Sequence, residues 1–184
     1  MSPIITDQPW PPELGEDLRH PNGRLVVDPA TGRTLRVYHD QFIIWATFTA
    51  GQRVLPAAGA PLFPLLIDTG FNDSFLMQQR QAETWLTPAV FARYGLSGYH
   101  LRAGRETILG WNMALWVYPN VPGTRDPDPA ASPRWFDLPL GATLTPPGSA
   151  FTKEKPLLGL RALRSNGLLL RIDGAAGRFS LDAP

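Results

Sequence analysis

Cysteine is absent from the 184 residues of this chain, which excludes disulfides and thiolate metal sites and leaves the redox compartment open. Histidine is scarce as well: His20, His39 and His100 lie far apart without ligand spacing, so surface or hydrogen-bonding roles suit them better than metal binding. Charged residues make up only 18% of the chain, and 17 basic residues against 16 acidic ones leave a net charge of +1. Because the basic residues are scattered, there is no electrostatic footprint for nucleic acid. No apolar run approaches the roughly 20 residues that span a bilayer, and no basic segment followed by an apolar core is found at the N-terminus. The expectation is a protein with no membrane partner, cytoplasmic by default. A Gly-x-Ser-x-Gly elbow is missing, as is a glycine-rich loop ahead of Lys-Ser or Lys-Thr, so neither a serine-hydrolase elbow nor a phosphate cradle is indicated.

What the chain has in quantity is Pro 20 and Gly 17, with 43% apolar residues. That combination implies many turns and short strands, as in all-β folds, within a chain long enough to bury one ordinary core. Residues 1–24 read as an irregular proline-rich arm, broken by Gln8-Pro9-Trp10-Pro11-Pro12 and His20-Pro21-Asn22-Gly23, and residues 25–184 as one domain. A hairpin is predicted from Leu25-Val26-Val27-Asp28 through Pro29-Ala30-Thr31-Gly32 to Arg33-Thr34-Leu35-Arg36-Val37-Tyr38, then an apolar strand over Asp40 to Thr49 and a loop over 51–60. Thr87-Pro88-Ala89-Val90-Phe91-Ala92-Arg93-Tyr94-Gly95-Leu96 carries helix signals, with Thr87 as N-cap, Pro88 at the first helical position and Gly95 at the exit. A long hairpin is predicted from Tyr99 to Tyr118, with its turn at Ala103-Gly104-Arg105 and its second arm running from Thr107 to Val117. Pro119 to Pro133 is a proline-rich insertion of the length that is usually functional or disordered. Leu160 to Ser165 reads as a helix ended by Asn166-Gly167. Leu168 to Asp173 should then pair with Arg178 to Leu181 around Gly174-Ala175-Ala176-Gly177, with Asp173-Gly174 as turn residues. The six tryptophans suit either a peptide groove or the core.

The chemistry is concentrated in Leu65-Leu66-Ile67-Asp68-Thr69-Gly70-Phe71-Asn72-Asp73-Ser74-Phe75-Leu76. A short apolar run that ends in a turn reads as a buried strand, here ending on a carboxylate. Thr69 supplies a hydroxyl, and Gly70 lets the backbone turn where a Cβ would clash. Asp-Thr-Gly alone is also an ordinary surface turn, but apolar residues on both sides argue for a buried setting. The segment resembles the active-site loop of the retropepsin-like aspartic proteases, in which an apolar strand runs into Asp-Thr/Ser-Gly. Lys155-Pro156-Leu157-Leu158-Gly159-Leu160-Arg161-Ala162-Leu163 resembles the family's second element, two apolar residues and a glycine followed by a short helix. Their order along the chain also matches.

The resemblance implies an all-β fold with two short helices, a closed acid-protease barrel with one lobe per chain. It implies an aspartic endopeptidase in which Asp68, Thr69 and Gly70 form the catalytic loop, while Asn72, Asp73 and the flap residue Gly104 contact substrate. Catalysis of this kind uses two carboxylates sharing one proton, and the chain carries a single Asp-Thr-Gly, so a homodimer must bring two copies of Asp68 together. The substrate would be an extended polypeptide, activity would peak on the acid side of neutral, and no metal or organic cofactor is required. Either the hairpin tip at 103–105 or the insertion at 119–133 could serve as the flap. Phe71 departs from the pattern, because retroviral and pepsin-type enzymes usually have a small Ala or Ser there, and a bulky ring would narrow the cleft. Two other readings stand beside this one. One is a retropepsin-like module that binds peptides or proteins without turnover. The other is a β-rich ligand-binding monomer in which Asp-Thr-Gly is accidental.

Overall fold

The computed structural model describes residues 2–9, 24–27, 34–37, 41–49, 53–85, 100–103, 106–111, 114–139, 141–149 and 153–184. Most of them are strands. In chain order these are β1 (Ser2–Pro9), β2 (Arg24–Val27), β3 (Thr34–Val37), β4 (Ile43–Thr49), β5 (Phe63–Asp68) and β6 (Phe75–Gln78). Helix α1 (Gln79–Trp85) follows, then β7 (His100–Ala103), β8 (Glu106–Trp111), β9 (Ala114–Tyr118), β10 (Arg134–Phe136), β11 (Ala142–Thr145) and β12 (Leu157–Gly159). Helix α2 (Leu160–Ser165) and the hairpin strands β13 (Leu169–Asp173) and β14 (Arg178–Ala183) complete the chain. The mainly-β prediction holds, and the large sheet is curled into a half-barrel. Its order is β10-β9-β4-β5-β12-β6-β11-β8-β7, beside a three-stranded sheet β1-β14-β13 and the separate hairpin β2-β3.

One feature of the large sheet positions everything that follows. β5 and β6 are consecutive in the chain, yet β12 lies between them, parallel to β5 and antiparallel to β6. β5 is thus flanked on both sides, because β4 pairs along its other edge from Ile43↔Leu66 to Ala46↔Phe63. Its residues Phe63, Leu65 and Ile67 are buried. Phe63 stacks on Phe48 with ring centroids 4.7 Å apart, and Phe75 of β6 meets the same Phe48 edge-on at 5.3 Å. A single apolar cluster runs from these rings to Ile4, Ile5, Phe179 and Leu181 of the small sheet, so the two sheets share one core.

The structure corrects three expectations. Over Ser2–Pro9 the predicted irregular arm is a strand paired antiparallel with β14 from Ser2↔Ala183 to Pro9↔Arg178. Two register shifts interrupt that pairing, one between Pro3 and Ile5, and there Ile4 and Ile5 are both buried. Such bulges break the alternation by which a strand is recognised, and proline is tolerated because β1 is an edge. Secondly, the long arm expected from Thr107 to Val117 is two strands: β8 pairs β7 and β11, whereas β9 pairs β4 and β10. Thirdly, a helix not foreseen spans Gln79–Trp85. It begins with the Gln81 side chain reaching back to accept the Gln78 backbone N–H at 3.0 Å, half of a capping box. The helix predicted over 87–96 lies outside the described residues. The hairpins β2–β3 and β13–β14, the helix at Leu160–Ser165 and the Asp173 turn are as expected, with Asp173 Oδ1 accepting the Ala176 N–H.

The insertion at 119–133 is tied down at its start. Asn120, 6% exposed, accepts the Thr6 N–H at 2.7 Å and donates to the Thr124 carbonyl at 2.7 Å. Its own N–H reaches the Ile4 carbonyl, and Gly123 N–H reaches that of Thr6, both at 2.9 Å. The buried Trp45 indole donates to the Arg125 carbonyl at 2.7 Å. Asn120→Ala would take their side-chain partner from the part-buried Thr6 N–H and Thr124 carbonyl. It should lower stability by about 2–3 kcal/mol, seen as a lower urea midpoint with an unchanged slope.

Candidate active site

β5 ends at Asp68, and the register of its neighbour sets Gly159 of β12 directly beside that residue. The strand cannot slide, because Leu66 N–H donates to the Pro156 carbonyl and Ile67 N–H to the Phe42 carbonyl, each at 2.9 Å. At the strand end the chain turns at once. Asp68 Oδ1 accepts the Gly70 N–H at 2.9 Å and the Asp68 carbonyl accepts the Phe71 N–H at 3.2 Å. A Cβ on Gly70 would lie 3.2 Å from that same Oδ1, so the glycine makes room for the carboxylate to fold over its own turn. Asp68 is half-buried, whereas Thr69, Gly70 and Asn72 are exposed. The result is a rigid loop presenting one carboxylate and one hydroxyl toward open surface.

The rest of the loop is clasped by the second element. Gly159 N–H donates to the Ser74 carbonyl at 3.0 Å and Leu160 N–H to the Phe71 carbonyl at 2.8 Å. The loop carbonyls thereby satisfy amides at the start of α2 that a helix leaves unpaired. Ser74, itself buried, donates its hydroxyl to the Pro139 carbonyl. The approach of loop and strand is so close that a Cβ on Gly159 would fall 2.2 Å from the Asp73 carbonyl oxygen and 2.5 Å from that of Phe71. It would also meet Phe71 Cδ1 at 2.6 Å, which places the Phe71 ring over Gly159. The bulky residue at this position is thus accommodated against the absent side chain of its neighbour.

Of the residues singled out from sequence, Asp68, Thr69, Gly70, Asn72 and Asp73 share this loop, and Gly104 lies outside the described residues. The arms of its hairpin are described and pair from His100↔Leu109 to Ala103↔Glu106. Asp73 forms an ion pair with Arg161 at 3.2 Å, each side chain 39% exposed. Arg161 was not foreseen as a site residue; its only sequence signal is a cation two positions after the Leu-Leu-Gly segment. Leu160 was also missed, an exposed apolar side chain at the head of α2. A depression of about 210 Å³ lined by Arg134, Trp135, Phe136, Asn166, Leu168, Ala183 and Pro184 shares no residue with the Asp68 loop. Trp45 and Trp116 belong to the buried interior. Among the described residues no cluster of three or more potential metal ligands occurs and no helix is long and apolar enough to cross a membrane.

Comparison with protein-family models, curated proteins and solved structures finds no match for this chain.

Proposed function

We propose that this chain is one lobe of a homodimeric acid-protease fold, an aspartic endopeptidase in which two copies of Asp68 hydrolyse a peptide bond of an extended polypeptide. The observation that carries the reading is the placement of Gly159 beside Asp68 in parallel register, with the Asp-Thr-Gly turn and the Leu-Leu-Gly segment hydrogen-bonded into one unit. Two sequence elements about ninety residues apart each resemble an element of that family, and they meet at the carboxylate. A chance surface turn gives no reason for that meeting.

The chemistry follows from two carboxylates at a two-fold axis. One ionised Asp68 takes a proton from a water molecule while the water oxygen attacks the scissile carbonyl carbon. The partner's Asp68, carrying the shared proton, gives it to the carbonyl oxygen. Collapse of the resulting gem-diol breaks the C–N bond, with a proton returned to the leaving amine. Thr69, exposed beside the carboxylate, would hydrogen-bond across the axis and hold the two loops in register. Asn72 and the half-exposed Asp73 border the same surface as candidates for binding substrate backbone. The hairpin β7–β8 is the better flap, since the insertion at 119–133 is anchored to β1.

The test is cleavage of a denatured protein on the acid side of neutral, as a function of enzyme concentration. A site shared between two chains requires the rate to rise with the square of chain concentration while monomer predominates, then linearly once dimer does. A rate linear throughout the monomer range would mean that one chain suffices, and no cleavage by the assembled dimer would favour the binding module.

A further inference from the structure

The proposed dimer needs a contact surface, and on that reading the three-stranded sheet supplies one. Its two edges are unlike. β1 carries Pro3, Pro9 and two register shifts against β14, features that discourage further pairing. β13 has no proline, pairs β14 without interruption from Leu169↔Asp182 to Asp173↔Arg178, and has no strand on its other side among the described residues. It also exposes a large apolar side chain, Ile172 at 51%. An unblunted edge with an exposed isoleucine is a template for another strand.

We infer that the strand it takes is β13 of a second copy, antiparallel across a two-fold axis at Ile172. Symmetry and charge together select that register. A two-fold perpendicular to the sheet leaves each side chain on its own face, and opposed residues of an antiparallel pair share a face, so the axis must pass through a residue position. Centring on Arg171 would set that cation against its own copy, which is repulsive. Centring on Leu170 would carry Ile172 and Asp173 past the start of the partner strand. Centring on Ile172 sets Arg171 opposite Asp173 twice, with Ile172 against Ile172 between them. The strand is self-complementary in this register.

Both charged groups are placed for it. Asp173 Oδ1 is held by the Ala176 N–H at 2.9 Å, so the carboxylate is fixed at the strand end. Among the described residues Arg171 has a long contact to Asp182 at 3.9 Å, and its side chain is 64% exposed. The pairing is short, so it sets the register of the dimer while the surfaces around it add area.

Charge reversal tests this in solution by sedimentation of the full chain. Arg171→Asp sets carboxylate against carboxylate, and Asp173→Arg sets guanidinium against guanidinium. Each variant alone should raise the dimer dissociation constant by about tenfold or more. An equimolar mixture of the two should recover the wild-type constant, because a heterodimer restores opposite charges across the axis. Recovery also shows that neither variant has simply misfolded. If wild type dimerises and the single variants dimerise equally well, or if the mixture fails to recover, β13 is not the interface and the homodimer stands. If wild type stays monomeric at every concentration reached, the homodimer reading itself falls.

Discussion

Asp68→Asn is expected to abolish peptide hydrolysis, by roughly 10²- to 10⁴-fold, the range that general acid-base groups contribute. The substitution is well suited to isolate chemistry from structure. In the native turn Asp68 Oδ1 accepts the Gly70 N–H at 2.9 Å, and the amide oxygen of Asn can accept the same bond. Asp68 makes its other turn contact through its backbone carbonyl, which the change leaves alone. The thermal midpoint should therefore stay close to wild type while turnover disappears. The lost function is proton exchange: an amide can neither take the proton from water nor give one to the scissile carbonyl. In a mixed dimer one Asn is enough to break the shared-proton pair, so adding excess Asp68→Asn chain to wild type should inhibit it. A variant that kept its activity would remove Asp68 from the mechanism.

How much of this was legible beforehand depended on the range of the interaction. The run Leu65-Leu66-Ile67 ending at Asp68, the Leu157-Leu158-Gly159 strand with its helix, and the hairpin around Gly174 to Gly177 are local patterns, and each forms where its residues indicate. β1 was not readable, since its prolines and bulges mimic an irregular arm, and only pairing with β14 at the far end of the chain makes it a strand. The break between β8 and β9 was hidden because periodicity does not say when a strand changes partners. β10 and β11, of three and four residues, are too short to carry a pattern. The candidate site divides in the same way. Its carboxylate turn is legible as a motif, whereas the ion pair of Asp73 with Arg161 and the seat of the Phe71 ring on Gly159 exist only once β12 has entered between β5 and β6.

That insertion leaves Gly159 no room for a side chain, and Gly159→Ala is expected to cost about 3 kcal/mol or more, at or above the upper part of the usual range for overpacking. The reasoning concerns which atoms are in the way. A clash with the end of a flexible side chain can be relieved by a rotamer change, but here two of the three nearest atoms are the carbonyl oxygens of Asp73 and Phe71, at 2.2 and 2.5 Å. Moving them strains the Phe71 carbonyl bond to Leu160 N–H and the neighbouring Ser74 carbonyl bond to Gly159 N–H, and these bonds hold the loop to the strand. For a chain of this length the loss corresponds to a fall of roughly 6–12 °C in thermal midpoint. Hydrolysis should be lost even at temperatures where the variant remains folded, because the carboxylate loop shifts with the carbonyls. Two comparisons separate this account from a general intolerance of substitution. Gly174, with nothing within 4 Å of a built Cβ, should accept alanine with little change in melting. Phe71→Ala combined with Gly159→Ala removes only the ring contact at 2.6 Å and leaves both carbonyl clashes, so the double variant should regain little of the lost stability. Full recovery in that double variant would show that the ring, and not the backbone, limits the site. In that case Phe71 would be the residue that makes Gly159 obligatory, and the tight clasp of loop and strand would not need the glycine for its own sake.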